Sequence, residues 1–339
     1  MRTVKFGGTG LSVTRTAFGA LPIQRQTVPE AIRILRAARD AGINFFDTAR
    51  AYTDSEYKLG LAFEGKREGL VIATKTGARD GASLREQLKT SLETLKADYI
   101  DIYQFHNTPF IPKPGGGDGL YDAAVEARDR GLIRHIGITQ HSLERALDAA
   151  KSGLFETLQY PFNHLASESE IDLVKLCEDR GIGFIAMKAL SGGLITDAAA
   201  PFAFIAQFPQ VVPIWGIQRM EELEQFIELD ANPPALDDAM RARIETDRAE
   251  LSGAFCRGCG YCLPCPADIP IHIANRMKHL LTRSPSAGWL TEEWRNNMRR
   301  VTLCQKCGLC AARCPFDLKP QETLPGHYEF YRQYIAEHT

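Results

Sequence analysis

Eight short apolar runs recur along the first two thirds of this chain, alternating with longer stretches of helical pattern. They are TRTAFGAL (14–21), FFDTA (45–49), LVIATK (70–75), IDIYQFH (100–106), RHIGIT (134–139), FETLQY (155–160), GFIAMK (183–188) and VVPIWG (211–216), and they read as strands. Between them, PEAIRILRAARDAG (29–42), SLREQLKTSLETLKA (83–97) and SESEIDLVKLCEDRG (167–181) are amphipathic at helical spacing. Gly42, Gly131, Gly153 and Gly181 stand where helix C-terminal caps should fall. This alternation predicts a (β/α)8 barrel, with helices around a closed parallel sheet. A doubly wound sheet is the alternative, but it normally shows a glycine-rich fingerprint after its first strand. FGGTG (6–10) precedes the first barrel strand and no helix follows it, so it reads as a turn.

The last quarter of the chain is built differently. Eight of the nine cysteines lie there in two windows: Cys256, Cys259, Cys262 and Cys265 in CRGCGYCLPCP, and Cys304, Cys307, Cys310 and Cys314 in CQKCGLCAARCP. The second has the C-x2-C-x2-C-x3-C-P spacing of bacterial [4Fe–4S] sites, and the first differs only in its shorter last gap. Three such cysteines let one loop reach three corners of a cubane. The fourth, before Pro266 or Pro315, typically ligates the other cluster, so the two runs need each other. Zinc is the main competitor, but it takes four ligands, usually as separated pairs, and fits this pattern less well. Residues 230–253 look like a helical link, and helical patterns at 272–283 and 291–302 separate the runs. Trp294, Met298 and Val301 repeat at helical spacing, which resembles the α-helical type of ferredoxin. Ile269, Ile271 and Phe316, just after each Cys-Pro, would pack over the clusters.

Composition sets limits on partners. A hydrophobic content of 44% supports a full core, and no apolar run approaches the ~20 residues of a membrane span. The start, MRTVKFGGTGLSV, has no hydrophobic signal region, so a cytoplasmic location is expected. A reducing compartment also suits thiolate ligands. A net charge of −2 without a long basic stretch argues against nucleic acid as the main partner. Lys and Arg outnumber Asp and Glu from Ala254 onward, where clusters held by thiolates would add negative charge.

Barrel chemistry is done at the C-terminal ends of strands. Asp47 lies at the end of the second run, with Tyr52 five residues later; Lys75 ends the third and His106 the fourth. Here the sequence resembles the aldo-keto reductases, whose DTAxxY motif stands as Asp47-Thr48-Ala49-Arg50-Ala51-Tyr52. The family's lysine matches Lys75 in VIATKTG and its histidine His106 in DIYQFH. FGGTGLSVTRTAFGAL also looks like that family's opening, so the resemblance covers about residues 1–230.

The resemblance implies an NAD(P)H-dependent oxidoreductase interconverting a carbonyl and an alcohol. Tyr52 would be the proton donor, with its pKa lowered from ~10 by the Lys75 ammonium. Asp47 would hold Lys75 charged, and His106 would polarise the substrate carbonyl. Implied nicotinamide contacts are Thr139 and Gln140 in GITQHS, Gln159 in LQYPFN, and Met187 and Leu190 in IAMKAL, Met187 replacing the usual stacked aromatic. Gly216 and Arg219 in GIQRMEELEQF fall where the family's phosphate-binding helix begins, and Arg219 suits a phosphate at a helix N-terminus. Glu222 stands where an arginine often grips the 2′-phosphate, so NAD and NADP both stay open. Cys177 reads as core. The loop PFIPKPGGGDG (109–119) should flank the substrate entrance.

The expected organisation is a TIM barrel over 1–232, a helical linker over 233–253 and a dicluster [4Fe–4S] ferredoxin-like domain over 254–339. Its eight cysteines would be the metal ligands, and the partners a small carbonyl or alcohol and an external electron carrier. Two other readings stand beside this one. The clusters could be purely structural in a carbonyl reductase, or the barrel of an electron-transfer or regulatory protein could merely bind nucleotide. Hydride and single-electron chemistry need a gate such as flavin, and no flavin motif is visible.

Overall fold

The computed structural model describes residues 1–251, 255–283 and 286–338. The expected boundary between linker and cluster domain, at 253/254, lies outside these. By internal contacts the chain divides into one unit of Met1–Ala189 with Ala199–Met240, and another of Leu190–Ala198 with Arg241–Thr339.

The first unit opens with a hairpin, β1 (Thr3–Lys5) and β2 (Ser12–Thr14), turned through the FGGTG segment. Eight parallel strands then close a barrel: β3 (Ala17–Gly19), β4 (Phe45–Asp47), β5 (Val71–Thr76), β6 (Ile100–His106), β7 (Ile133–Thr139), β8 (Thr157–Pro161), β9 (Gly183–Met187) and β10 (Val211–Gly216). They follow chain order around the ring, and β10 pairs back onto β3. The helices between them are α1 (Val28–Asp40), α2 (Ser55–Phe63), α3 (Gly81–Leu95), α4 (Leu120–Asp129), α5 (Leu143–Ser152), α6 (Glu168–Asp179) and α7 (Ala199–Ile205), with α8 (Met220–Ala231) after the last strand.

Local chemistry accounts for the helix ends. Ser167 and Glu170 form a reciprocal capping box at the start of α6, as do Asp80 and Ser83 at α3. Gly42, Gly131, Gly153 and Gly181 all take positive φ, from 66° to 96°.

The hairpin sends Phe6 into the barrel core, beside Phe45, Ala73, Ile185 and Val212. Gly183, the first residue of β9, has no side chain because the Phe6 ring lies there; an added Cβ would meet it at 2.7 Å. Layers of such residues fill the barrel, so the polar groups gather at the strand ends.

The second unit is helical. It contains most of α9 (Asp238–Glu250), then α10 (Ile271–Ala274), α11 (Met277–Arg283), α12 (Glu292–Arg299), α13 (Leu309–Ala312) and α14 (Pro320–His338). Of the expected repeat, Met298 and Val301 are buried and Trp294 is half-buried. The segment Leu190–Ala198 also belongs to this unit, although in sequence it begins three residues past the end of β9. Arg276 and Arg283 hold its carbonyls at Gly192 and Leu194, at 2.7 and 2.9 Å, and Arg243 pairs with Asp197 at 3.4 Å.

Candidate active site

Asp47 ends β4, Lys75 lies near the end of β5 and His106 ends β6, so three neighbouring strands bring three of the expected groups together. Tyr52 hangs in the short turn between β4 and α2. That turn is fixed by backbone bonds from Tyr52 to Ala49 (3.0 Å) and Ser55 to Tyr52 (2.8 Å), and by the Thr48 and Ser55 hydroxyls 2.8 Å apart. Lys58 secures the adjoining loop, its ammonium donating to the carbonyls of Ile23, Gln24 and Gln26 and to Asp54.

The four groups form two tiers. Below, Asp47 and Lys75 are buried as an ion pair, with Lys75 Nζ 2.6 Å from Asp47 Oδ1 and 2.6 Å from the carbonyl of Thr48. Above, Tyr52 and His106 keep part of their surface open and meet edge to face, ring centroids 5.9 Å apart. The Lys75 ammonium lies 5.1 Å from the centre of the tyrosine ring.

Burial raises the Asp47 carboxyl and lowers the Lys75 ammonium, and their contact opposes both displacements. The ion pair corrects one expectation. Burial first, then the Asp47 charge, push the Tyr52 phenol above its ordinary pKa, instead of Lys75 pulling it down. His106 is moved the other way, to about 3, by burial and then by Lys75, so its ring is neutral.

Two of the expected nicotinamide contacts, Gln159 and Thr139, join this network. Gln159 on β8 reaches Asp47 Oδ1 at 3.5 Å, and the Thr139 hydroxyl donates to Gln159 at 3.3 Å. Gln140 is buried and donates to the carbonyl of Thr108 at 3.1 Å. Met187 is buried at the end of β9; Leu190 falls in the second unit. Gly216 ends β10 and Arg219 caps α8.

At that cap the Glu222 carboxylate accepts from the amides of Gln218 and Arg219, at 2.8 and 3.2 Å, and pairs with the Arg219 guanidinium at 2.8 Å. The amides expected to receive a phosphate thus already hold a carboxylate. Only the glutamate half of a capping box is present, because a guanidinium cannot accept from an amide, and Arg219 instead donates to Glu222.

Gln104 escaped it altogether. Its amide donates to Asp47 Oδ2 at 3.3 Å, and its oxygen accepts from Thr139 at 3.3 Å. The available signal was an uncharged polar residue inside IDIYQFH, two positions before His106 and so on the same strand face.

The second unit gathers the cysteines as two sets. Cys265 lines a hollow of about 400 Å³, partly open to solvent, with Cys262, Cys304, Cys307 and Cys310. Its wall includes Ile269 and Ile271, the residues expected over a cluster, whereas Phe316 stacks under Arg257 at 4.6 Å. Burial pushes the Cys262 thiol up to about 12, with the charges of Cys256, Cys259 and Cys314 adding to the shift. Cys314 is thus a neighbour of the first run, and Cys265 lies with Cys262 beside the three leading cysteines of the second. Among the described residues no three His, Cys, Asp or Glu side chains converge tightly enough to hold a single ion. A cubane instead presents separate corners to its thiolates. Buried thiolates need positive charge beside them, and the donor set fits [4Fe–4S] chemistry.

Comparison with known proteins agrees with both parts. The aldo/keto reductase family matches residues 15–204, more than half of the chain, and the 4Fe-4S dicluster domain matches 255–319. An L-galactose dehydrogenase of Arabidopsis thaliana is 32% identical over 58% of this chain and 67% of its own length. The aldo-keto reductase YhdN of Bacillus subtilis is 30% identical over 58% and 64%. The match therefore spans about two thirds of these relatives. The solved structure of the aldo-keto reductase AKR11C1 from Bacillus halodurans, in its holo form, shares the fold with a TM-score of 0.64 at 21% identity, covering 73% of this chain and 96% of that one. With a closed eight-stranded barrel, polar groups at its strand ends and two cysteine sets after it, the chain belongs to the aldo/keto reductase family and carries a C-terminal 4Fe-4S dicluster domain.

Proposed function

We propose that the protein interconverts a carbonyl and an alcohol with a nicotinamide cofactor, using Tyr52 as the proton donor. The single observation that carries this reading is the two-tier arrangement, a part-open tyrosine and neutral histidine above a buried Lys–Asp pair. The nicotinamide, when bound, supplies or accepts the hydride. Tyr52 holds its proton through neutral pH and so meets the substrate oxygen as an acid. His106, uncharged, donates a ring N–H to that oxygen and fixes its position. Asp47 with Gln104 and Gln159 keeps Lys75 in place, where its ammonium offsets the Asp47 charge that opposes the phenolate left when the proton departs. Tyr52→Phe should lower carbonyl reduction ~10²–10⁴-fold. Cofactor binding, followed by quenching of protein fluorescence, should be nearly unchanged; turnover within a few-fold of wild type would remove Tyr52 from this role.

Glu222 favours the cofactor without a 2′-phosphate, since it already occupies the amides and the guanidinium at the start of α8. For substrates, the sugar named for the Arabidopsis relative gives a class with which to begin a screen.

The two cysteine sets would each hold one [4Fe–4S] cluster, which supplies one-electron storage. We favour electron relay, with an external carrier as partner, over a purely structural role. Anaerobic addition of NADH or substrate should then bleach the visible absorption on the timescale of turnover. Clusters that stay silent while the barrel turns over would establish the structural role.

A further inference from the structure

We infer that Arg276 makes the two clusters unequal, holding the one bound by the first cysteine run at the higher reduction potential. Arg276 follows α10 and is only 4% exposed. Its Nη2 donates to the carbonyl of Gly192 at 2.7 Å, which fixes the guanidinium plane. Its Nη1 lies against Gly258, so closely that a Cβ there would meet it at 2.0 Å. The Gly258 amide in turn donates to Cys256 Sγ at 3.4 Å, so the cation stands beside the first run.

No carboxylate answers that charge. Among the described residues none lies within ion-pair distance of Arg276, and its buried Nε has no hydrogen-bond partner. Arg283, the next guanidinium along the chain, is by contrast paired with both Asp247 and Glu250. A buried guanidinium without a counter-ion is strongly unfavourable, and here the negative charge within reach is that of the cysteine sulfurs. The hollow that holds Cys265 with the second run is lined by prolines, Ile269, Ile271, Leu324 and two glutamines; Arg313 donates to the Pro264 carbonyl there at 3.0 Å but is exposed, so water screens its charge.

The consequence is electrostatic. Reduction adds a negative charge to a cluster, and a fixed positive charge in a low-dielectric surrounding favours that state. An apolar wall whose lining holds no buried cation disfavours it. An electron entering the domain therefore settles on the first cluster, and Arg276 acts as a positioning residue for charge.

The inference rests on the reading that each run, completed by the other's last cysteine, binds one cluster. The test uses full-length protein prepared anaerobically, with iron counted first, then a redox titration with dithionite followed by electron paramagnetic resonance. Wild type should reduce in two steps. In Arg276→Gln the upper step should fall by at least tenfold in its equilibrium, ~59 mV for one electron, with the lower step unmoved. Arg276→Lys, which keeps the charge, should retain most of the separation. Loss of about half the iron in Arg276→Gln but not in Arg276→Lys would show the same need for charge at assembly. Unmoved midpoints, or iron lost from both variants alike, would overturn the inference. A wild-type iron content far below about eight would instead fail the underlying cluster reading.

Discussion

His106 shows how one residue's surroundings set a pH dependence. Burial and the nearby ammonium hold its folded pKa at about 3, while an exposed imidazole titrates near ~6.5. Between those values the unfolded chain binds the proton and the folded one does not, so this group's contribution to stability is complete above pH ~6.5 and declines as pH falls toward 3. Urea midpoints of wild type should therefore fall more steeply than those of His106→Gln between pH 6.5 and 4.5; parallel slopes would contradict the assigned burial. Glu222 sets a second residue-scale expectation. Glu222→Arg frees the α8 amides and adds a cation, and kcat/KM should shift toward NADPH by about tenfold or more, the worth of one charge-assisted hydrogen bond.

Among the elements, the β1–β2 hairpin is the least legible and among the most consequential. Strands of three residues are too short to show a period, so only its turn could be read from FGGTG. Yet it delivers Phe6, fully buried, against Phe45 with ring centroids 5.7 Å apart. Phe6→Ala should cost about 3–5 kcal/mol by urea unfolding, because the cavity it leaves is walled by strands that cannot collapse. The barrel strands, by contrast, stood out as apolar runs because both faces of a parallel sheet are covered. The Ser167–Glu170 box was likewise written in adjacent residues.

At the scale of the whole chain, two repeats of local chemistry come together in one unit. Cys314 neighbours Cys256, Cys259 and Cys262, while Cys265 shares a hollow with Cys262, Cys304, Cys307 and Cys310. Anaerobically prepared protein should be brown and carry about eight iron atoms. Cys314→Ser should then empty or remodel the first cluster and spare the second, leaving about four to eight irons but only one unaltered resonance signal. Loss confined to the second cluster would mean that each run keeps its own last cysteine.

Sequence alone determined the barrel, the four strand-end groups and the eight thiols, because periodicity and ligand spacing are properties of neighbouring residues. What burial and distant partners do was decided only by the folded chain. It turned Tyr52's pKa upward by drawing it partly out of water beside Asp47, and it placed Gln104 against the same carboxylate. It also drew Leu190–Ala198 into the cluster unit and left Arg276 buried there without a carboxylate. Each of these depends on which surfaces lose water and which charges then face one another, and residues far apart in the chain carry no local mark of that.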